Sequence, residues 1–305
     1  PFCLFIASHD SHAPFTPGDP SAYDANKLNV PSYWVDTPEL REEMVKYYAE
    51  VTNYDSLVGI IRAELEKRNL WENTIFIVCS EQGTQLPFAK WTCYDNGLHI
   101  GLVLRWPGLS KEGSVVEELV SIADITPTLV QELGGDLKQG DCDGKNIAPL
   151  IKGNGVPVHQ YVYGAFTNCR IVDNRDRIFP IRSIRDKRYS LIFNPNSKEE
   201  ITSNITLSRA LEILKSDQKK KANLDPASSW VTKANLTSSE EELIHKLHHR
   251  SEYEIYDLRN DPFELVNVIS DPEFKKVVHR LQEALLKKLG ELGDADPVKT
   301  ERKLL

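Results

Sequence analysis

An apolar run that ends abruptly in polar residues constrains the fold of this chain most strongly. Thr74–Cys79 is rich in β-branched and aromatic residues and lacks polar alternation. This pattern is typical of a strand buried on both faces in the parallel sheet of an α/β protein. The run is followed at once by Ser80-Glu81-Gln82-Gly83. Because open α/β sheets bind ligands beyond the carboxyl ends of their strands, we expect a functional site here.

The side chains that follow this strand suit an anionic substrate. Glu81 and Gln82 offer hard oxygen donors of the type that Ca²⁺ and Mg²⁺ prefer. Lys90 follows on a predicted loop, and a second apolar strand, Ile100–Arg105, leads into Trp106-Pro107-Gly108. A carboxylate, an amide and a lysine together indicate a metal-assisted site. In the alternative interpretation, Glu81 and Gln82 cap the next turn and Lys90 is solvated.

Two histidines follow another apolar run near the start of the chain. Phe2–Ala7 is predicted to be a buried strand, and His9 and His12 come after it. Imidazole titrates near neutral pH, so both are candidates for acid–base chemistry. The alternative is that they bond to loop carbonyl groups.

Helix signals are clearest at two places. Thr37-Pro38-Glu39 combines a capping threonine, a proline at the first position and an acid in the first turn. Apolar residues then recur at spacings of three and four from Leu40 to Leu65, which predicts a core-facing stripe on a long helix ending near Asn69. Asp124 and Pro127 mark a second helix start.

The pattern changes after about Gly155. Short strands are predicted at Gln160–Ala165, Phe179–Arg185, Tyr189–Phe193 and Glu254–Leu258, with a long insertion, Asn194–Tyr253, before the last of them. An amphipathic helix is predicted at Asp271–Leu289. Strands followed by a helix favour a small antiparallel sheet with helical cover. We therefore expect an α/β part over residues 1–155 and a smaller α+β part over residues 156–305.

Composition excludes some classes of protein. The chain has 305 residues, a net charge of −8 and no apolar run long enough to cross a bilayer. The acidic balance argues against general nucleic-acid binding. Five scattered cysteines without a CxxC pair make a zinc site unfavourable. The chain starts with Pro1 and its only methionine is Met44, so we expect its first residue to lie inside a fold.

The insertion carries weaker signals. His245, His248 and His249 have helical spacing that could hold a metal, although no acidic partner is evident. Asn204-Ile205-Thr206 and Asn235-Leu236-Thr237 fit the glycosylation pattern, which also arises by chance. The charge runs Asp217–Lys221 and Glu240–Glu242 are interpreted as solvated faces.

Taken together, several motifs resemble the second half of a sulfatase catalytic domain, in the alkaline-phosphatase-like superfamily. The motifs in this chain are Ser80-Glu81-Gln82-Gly83, Lys90, Tyr94, Gly97-Leu98-His99, Arg105-Trp106-Pro107-Gly108, Asp124-Ile125-Thr126-Pro127-Thr128-Leu129 and Glu254-Ile255-Tyr256-Asp257-Leu258. The chain is most similar to the heparan N-sulfatase (sulfamidase) branch, and the resemblance covers nearly its whole length. It implies the C-terminal part of a mixed or parallel sheet domain flanked by helices, plus a smaller antiparallel subdomain.

The resemblance implies roles for individual residues. His12 matches a histidine that contacts the sulfate or the leaving group, although Ser11 replaces the usual proline, and His9 matches a supporting histidine behind it. Lys90 matches a lysine that holds sulfate oxygens, and His99 is a further candidate for substrate binding. Glu81 and Gln82 occupy the positions of an Asp and an Asn that bind a divalent metal, usually Ca²⁺. Each is one methylene longer than the usual residue, but the donor atoms are the same.

The chain also departs from the sulfatase pattern. The family's nucleophile is a formylglycine made from a Cys or Ser in a Cys/Ser-x-Pro-x-Arg motif, and no such motif occurs here. A pair of aspartate metal ligands from the family's first strand is also missing. Both normally lie before the region matched by Pro1. We therefore expect these 305 residues alone to be inactive.

The functional expectation is hydrolysis of a sulfate ester or N-sulfate on a sulfated sugar or glycosaminoglycan. The family implies an extracytoplasmic place, either periplasmic, secreted or lysosomal. One alternative is a phosphatase or phosphonate hydrolase of the same superfamily, with a Thr or Ser nucleophile and two zinc ions. Another is a non-catalytic glycan-binding protein that kept the fold. The sequence leaves open the particular sugar, the choice between S–O and S–N cleavage, and the oligomeric state.

Overall fold

The structure is a computed structural model that describes residues 1–138, 140–167, 178–201 and 226–304. Its helices in these ranges are α1 (Pro38–Lys67), α2 (Asp95–Leu98), α3 (Ile125–Glu132), α4 (Ala148–Ile151), α5 (Pro226–Thr232), α6 (Ser238–His248), α7 (Lys275–Glu291) and α8 (Pro297–Arg302). Its strands are β1 (Phe76–Cys79), β2 (Leu102–Arg105), β3 (Val162–Phe166), β4 (Ile181–Arg185), β5 (Tyr189–Phe193) and β6 (Tyr253–Asp257). None of the helices in the described ranges is long and apolar enough to cross a membrane.

Helix α1 begins where its capping signal predicts. The Thr37 hydroxyl accepts a hydrogen bond from the Leu40 N–H at 3.2 Å, and the chain leaves the helix before Asn69, whose φ is 57°. The predicted stripe is core only in the first part of the helix. Leu40 and Met44 are buried, whereas Val51 is 37% exposed. The expectation that the whole stripe is core was therefore wrong, since Tyr54, Val58, Ile61 and Leu65 further along it are only half-buried.

The pairing of β1 and β2 corrects the predicted parallel sheet. The strands run antiparallel, with Phe76 opposite Arg105 and Cys79 opposite Leu102, in a sheet of two strands. They are not buried on both faces, since Val103 is 69% exposed. An uninterrupted apolar run does not specify the direction of its partner, which depends on pairing far along the chain.

The predicted strand Phe2–Ala7 was also wrong. The segment forms no strand and is exposed, with Phe5 at 91%. A strand is held by hydrogen bonds to a neighbouring strand, and no strand in the described residues pairs with this segment. An apolar composition alone therefore does not make it a strand.

The predicted antiparallel sheet in the second half is confirmed. Four strands lie in the order β3-β4-β5-β6, and every neighbouring pair is antiparallel. Helix α7 covers one face of this sheet. Its residues Leu281, Leu285 and Leu289 share an apolar cluster with Ile184 and Leu191. Together with the first half, this gives a mixed α/β architecture with an antiparallel C-terminal sheet.

One apolar cluster joins the two halves of the chain. It contains Trp34, Met44 and Phe88 from the first half, and Trp230 and Tyr256 from the second. This core runs across the predicted boundary near residue 155. The division of the chain into two parts at that point therefore stays a prediction. Because the shared core surrounds the segment that carries Lys90, the second half contributes to the position of that lysine.

The Asp124 motif shapes a buried turn. Helix α3 begins at Ile125 as predicted, but the Asp124 carboxylate does not cap it. It accepts hydrogen bonds from the Ser121 and Lys145 N–H groups, each at 2.7 Å, and lies 2.9 Å from Nε2 of His159. Asp124 is fully buried, so these partners stabilise a charge that would otherwise be costly to bury.

The insertion is described only in part. Helix α6 is capped by Thr237, whose hydroxyl pairs with Glu240, and Glu241 and Glu242 are exposed in its first turns. Asn235 is exposed in the loop before this helix. The triplet that begins at Asn204, the charge run Asp217–Lys221 and Cys169 lie outside the described residues.

Candidate functional site

Two of the predicted site residues meet although they are far apart in sequence. Nζ of Lys90 lies 3.1 Å from Nε2 of His12, across a separation of 78 positions. Both side chains are accessible at this point, so a ligand can reach them. The contact places the predicted acid–base group and the predicted anion-binding group at one site.

The hydrogen bonds of His12 define its tautomer in this arrangement. Its Nδ1 lies 2.7 Å from the carbonyl oxygen of Ala13, which can only accept, so Nδ1 carries the hydrogen. The ammonium group of Lys90 can only donate, so Nε2 accepts from it. In this arrangement the nitrogen that faces Lys90 is the one with the free lone pair.

Helix α1 holds the loop that carries His12. Oε1 of Glu50 accepts a hydrogen bond from the Thr16 N–H at 2.5 Å. Nδ2 of Asn53 donates to Oδ2 of Asp10 at 2.9 Å. Glu50 is 1% exposed, and burial raises the pKa of its carboxyl group although the main-chain N–H groups of Thr16 and Ser11 oppose this shift. The loop is thus anchored before and after His12.

The loop that carries Lys90 is anchored by the core. The Trp34 indole N–H donates to the Pro87 carbonyl at 2.7 Å, and the Lys90 N–H donates to the Thr84 carbonyl at 3.0 Å. Leu86 and Phe88 are 2% and 3% exposed. The Thr16–Asp36 segment therefore supports the site through Trp34.

A buried polar network lies behind the Lys90 loop. The Tyr94 hydroxyl donates to Oε2 of Glu254 at 2.6 Å and accepts from the guanidinium of Arg250. Nζ of Lys246 lies 4.8 Å from the centre of the Tyr94 ring and donates to the Glu264 carbonyl oxygen. Burial lowers the pKa of Lys246 to about 8 and, in the opposite direction, raises the pKa of the Glu264 side chain to about 7.

The predicted metal ligands lie where β1 ends. Ser80 donates its N–H to the Gly101 carbonyl at 3.0 Å, and the Gly83 N–H donates to the Gly97 carbonyl at 3.1 Å, so the backbone is fixed on both sides of Glu81 and Gln82. A Cβ atom on Gly83 would lie 1.8 Å from the Asn96 carbonyl oxygen. Position 83 therefore requires glycine for this close approach.

The donor chemistry of Glu81 and Gln82 fits a divalent cation. Neither side chain has a hydrogen-bond or ion-pair partner among the residues that the structure describes, so their oxygens are free. Ca²⁺ takes about six to eight oxygen ligands, so these two residues would supply only part of its shell. No group of three or more His, Cys, Asp and Glu side chains in the described ranges is arranged to hold a metal, and this includes His245, His248 and His249.

The side chains of the two remaining predicted residues take no part in the His12–Lys90 contact. His99 is exposed, and its Nδ1 lies 3.2 Å from Oδ2 of Asp95, one helical turn before it. His9 is exposed, and its carbonyl oxygen accepts the His12 N–H at 3.2 Å. The His9 side chain has no partner within the described part of the chain. A substrate role for His99 and a supporting role for His9 stay predictions.

Sequence reasoning missed the residues that support the site. Glu50 gave no signal, because the apolar stripe on α1 passes through Tyr47 and Val51 on either side of it. Lys246 and Arg250 lie in the predicted insertion Asn194–Tyr253, and no sequence signal singled them out. Their spacing of four positions could have indicated a shared helix face, but not its burial against Tyr94.

Two protein-family models match this chain. The family model for sulfatases matches residues 1–135, and the model for the C-terminal region of N-sulphoglucosamine sulphohydrolase matches residues 83–204 and 226–291. The chain belongs to the sulfatase family. Within it, the second model covers more than half of the chain and agrees with the sulfamidase-like resemblance of its motifs.

Curated relatives show the same likeness over a part of their length. The chain is 31% identical to an ulvan-active sulfatase of Formosa agariphila, over 96% of this chain and 53% of that protein. It is 24% identical to human N-sulphoglucosamine sulphohydrolase, over 94% of this chain and 60% of that protein. The chain thus spans roughly half the length of the relatives it matches.

A solved structure supports the fold assignment. It is described as BT4656 in complex with its substrate D-glucosamine-2-N,6-O-disulfate, and it matches with a TM-score of 0.56 and 20% identity. The match covers 85% of this chain and 42% of that one. At this identity the comparison establishes the fold but not the reaction, which must be argued from the site residues.

Proposed function

We propose that the full-length protein is a sulfatase that hydrolyses a sulfate ester or an N-sulfate on a sulfated sugar. The observation that carries this proposal is the contact between Lys90 and His12. It combines an amine that can bind an anion with an imidazole, the side chain that most often serves as a general acid or base. Transfer of a sulfuryl group needs both, because negative charge must be held while a leaving group is protonated.

Lys90 and His12 would have different roles in this reaction. The Lys90 ammonium would bind sulfate oxygens through charge-assisted hydrogen bonds. Once protonated at Nε2, the imidazole of His12 would give that proton to the leaving oxygen or nitrogen as a general acid and return to its neutral form. The bond from Nδ1 to the Ala13 carbonyl keeps the ring in the orientation that directs Nε2 toward Nζ of Lys90.

Glu81 and Gln82 would hold part of the shell of a divalent metal, most simply Ca²⁺. Bound there, such a cation offsets negative charge on the sulfate oxygens. The free carboxylate and amide oxygens at the end of β1 support this assignment. The formylglycine nucleophile implied by the family would belong to a part of the protein outside these 305 residues.

The substrate class follows from the family rather than from the described geometry. The match to the N-sulphoglucosamine sulphohydrolase C-terminal model favours an N-sulfated glucosamine of a glycosaminoglycan. The 31% identical relative is named for activity on ulvan, which makes ulvan the second candidate substrate. With either substrate, we infer the extracytoplasmic location that the family implies: periplasmic, secreted or lysosomal.

The test is sulfate release by the full-length protein. N-sulfated and 6-O-sulfated glucosamine, ulvan oligosaccharides and a phosphonate monoester would be compared at equal concentration. We expect turnover of a sulfated sugar, and a loss of about 100-fold or more in kcat/KM for Lys90→Ala because a charge-stabilising donor is removed. Lys111→Ala, at an exposed lysine, is the matched control.

Two results would contradict the proposal. Faster turnover of the phosphonate than of every sulfated sugar would indicate a phosphonate hydrolase. Binding of a sulfated glycan without turnover of any substrate would indicate a glycan-binding protein that kept the fold.

A further inference from the structure

Glu50 is a carboxylate in an unusual place. It lies on α1 next to Ala49, and both residues are 1% exposed. A carboxyl group is costly to bury unless it is hydrogen-bonded, and burial accordingly raises the pKa of Glu50. Packing alone does not explain a charged residue here, because an apolar side chain would fill the space at lower cost. The partners of its carboxylate are therefore informative.

The partner of Glu50 belongs to the loop and not to the helix. Oε1 accepts the Thr16 N–H at 2.5 Å, four positions after His12. Asn53 lies three positions further along α1, on the same helix face, and bonds to Asp10, two positions before His12. One helix face thus holds the His12 loop at both ends.

The orientation of His12 depends on that loop. Its ring is fixed by its own neighbour Ala13 and by Lys90, at 2.7 and 3.1 Å. Ser11, just before it, has a φ of 65°, a conformation that a non-glycine residue adopts only under constraint from its surroundings. If the loop shifts, Nε2 leaves the distance at which it meets Nζ of Lys90.

We propose that Glu50 is a positioning residue for His12, with Asn53 as its weaker counterpart. This inference rests on the proposed function insofar as His12 assists the leaving group. Glu50 itself contacts neither substrate nor metal in this scheme. It fixes the backbone from which the imidazole reaches Lys90, and its hydrogen-bonding oxygen matters more than its charge.

The kinetic experiment compares Glu50→Ala with Glu50→Gln in the full-length protein. The amide oxygen of glutamine can still accept the Thr16 N–H, whereas alanine cannot. We expect Glu50→Ala to lower kcat by about 10- to 100-fold through misplacement of His12. KM should stay within about twofold, because Lys90 still binds the sulfate. Glu50→Gln should recover most of kcat, and Glu42→Ala, an exposed glutamate of the same helix, should match the wild type.

A second measurement does not depend on turnover. Diethyl pyrocarbonate modifies accessible imidazole nitrogens, and peptide mass spectrometry reports the rate at each histidine. We expect His12 to react several-fold faster in Glu50→Ala than in the wild type, because Nε2 is no longer held against Lys90, while the rate at His99 stays unchanged. If Glu50→Ala does not fold, Asn53→Ala gives the same comparison with a smaller effect.

The outcomes separate this inference from the proposed function. An unchanged His12 rate in Glu50→Ala, or in Asn53→Ala where the former does not fold, overturns the positioning role. So does a rise in KM without a fall in kcat. A faster His12 rate in a protein that turns over no sulfated sugar supports the positioning role and rejects the sulfatase proposal.

Discussion

The hydroxyl group of Tyr94 donates a hydrogen bond of 2.6 Å to Oε2 of Glu254, 160 positions later in the chain. The same oxygen accepts from Tyr256 at 2.5 Å, and Oε1 accepts from Nδ2 of Asn194 at 2.8 Å. These donors satisfy a carboxylate that is 2% exposed. The bond joins the segment just after Lys90 to strand β6, so the C-terminal sheet helps to fix the lysine loop.

We expect Tyr94→Phe to destabilise the protein strongly. The change removes the donor to Glu254 and the acceptor for Arg250, and leaves both charged groups buried with one partner fewer. Loss of one partner of a buried charged group lowers the free energy of unfolding by about 2 kcal/mol or more. Urea unfolding measures this value.

The control for Tyr94→Phe is Tyr23→Phe, whose hydroxyl contacts Thr52 near the surface. It should change the free energy of unfolding by no more than about 0.5 kcal/mol. Equal losses in the two variants would show that the Tyr94 network does not stabilise the fold.

His12 and Lys90 should behave as a coupled pair. The contact between them predicts that the effects of His12→Ala and Lys90→Ala on kcat/KM do not add. A double-mutant cycle should give a coupling energy of about 1 kcal/mol or more, as is typical of residues in contact. The control cycle pairs His12→Ala with His99→Ala, because no hydrogen bond joins these residues. Additive effects in the first cycle would show that the contact between His12 and Lys90 does not contribute to the reaction.

Glu264 should make stability depend on pH. Burial raises the pKa of its carboxyl group from 4.5 to about 7, although the Lys246 ammonium opposes the shift. Between these values the native state holds a proton that the unfolded chain has released. The stabilising contribution is therefore complete below about pH 4.5 and is lost as the pH rises through about 7.

Glu264→Gln removes this titration while keeping an acceptor for the Asp95 N–H, which lies 2.6 Å from Oε2. We expect the free energy of unfolding of the variant, relative to the wild type, to rise by about 2 kcal/mol between pH 5 and pH 8. Denaturant unfolding at both pH values measures it, and Glu112→Gln, at an exposed carboxylate, should show no trend. A constant difference between variant and wild type would mean that Glu264 titrates normally.

Glu81 should contribute to calcium binding in the full-length protein. Its carboxylate is exposed and has no partner in the ranges that the structure describes, so its loss removes a ligand without breaking another contact. We expect Glu81→Ala to weaken Ca²⁺ binding about tenfold or more, which corresponds to about 1.4 kcal/mol. Isothermal titration calorimetry measures the affinity, and Glu112→Ala is the control. Equal affinities would exclude Glu81 from the metal shell.

Local signals predicted part of the fold correctly. The Thr37 cap, the start of α3 and the strands β3 to β6 could be found because capping and alternation act between near neighbours in sequence. The segment Phe2–Ala7 and the direction of β1 could not. The direction of β1 depends on its pairing with β2, further along the chain, and no strand in the described residues pairs with Phe2–Ala7.

The candidate site was likewise predictable only in part. His12 and Lys90 could be proposed from their residue types and from the sulfatase motifs. Their 3.1 Å contact could not, because it depends on two loops fixed by different parts of the core. The supporting residues Glu50, Lys246 and Arg250 were missed, since a charged residue in a sequence is expected on the surface until its buried partners are known.

The sequence by itself determined the family, the order of the main elements and the residue types that can bind an anion and a metal. The tertiary structure decided which of these residues are in contact. It also decided which buried carboxylates and cations fix the loops that carry them. The physical reason is the separation along the chain over which each interaction acts. Helix caps and strand patterns are set within a few residues, whereas the desolvation and hydrogen bonding of Glu50, Glu254 and Glu264 depend on groups tens to hundreds of positions away.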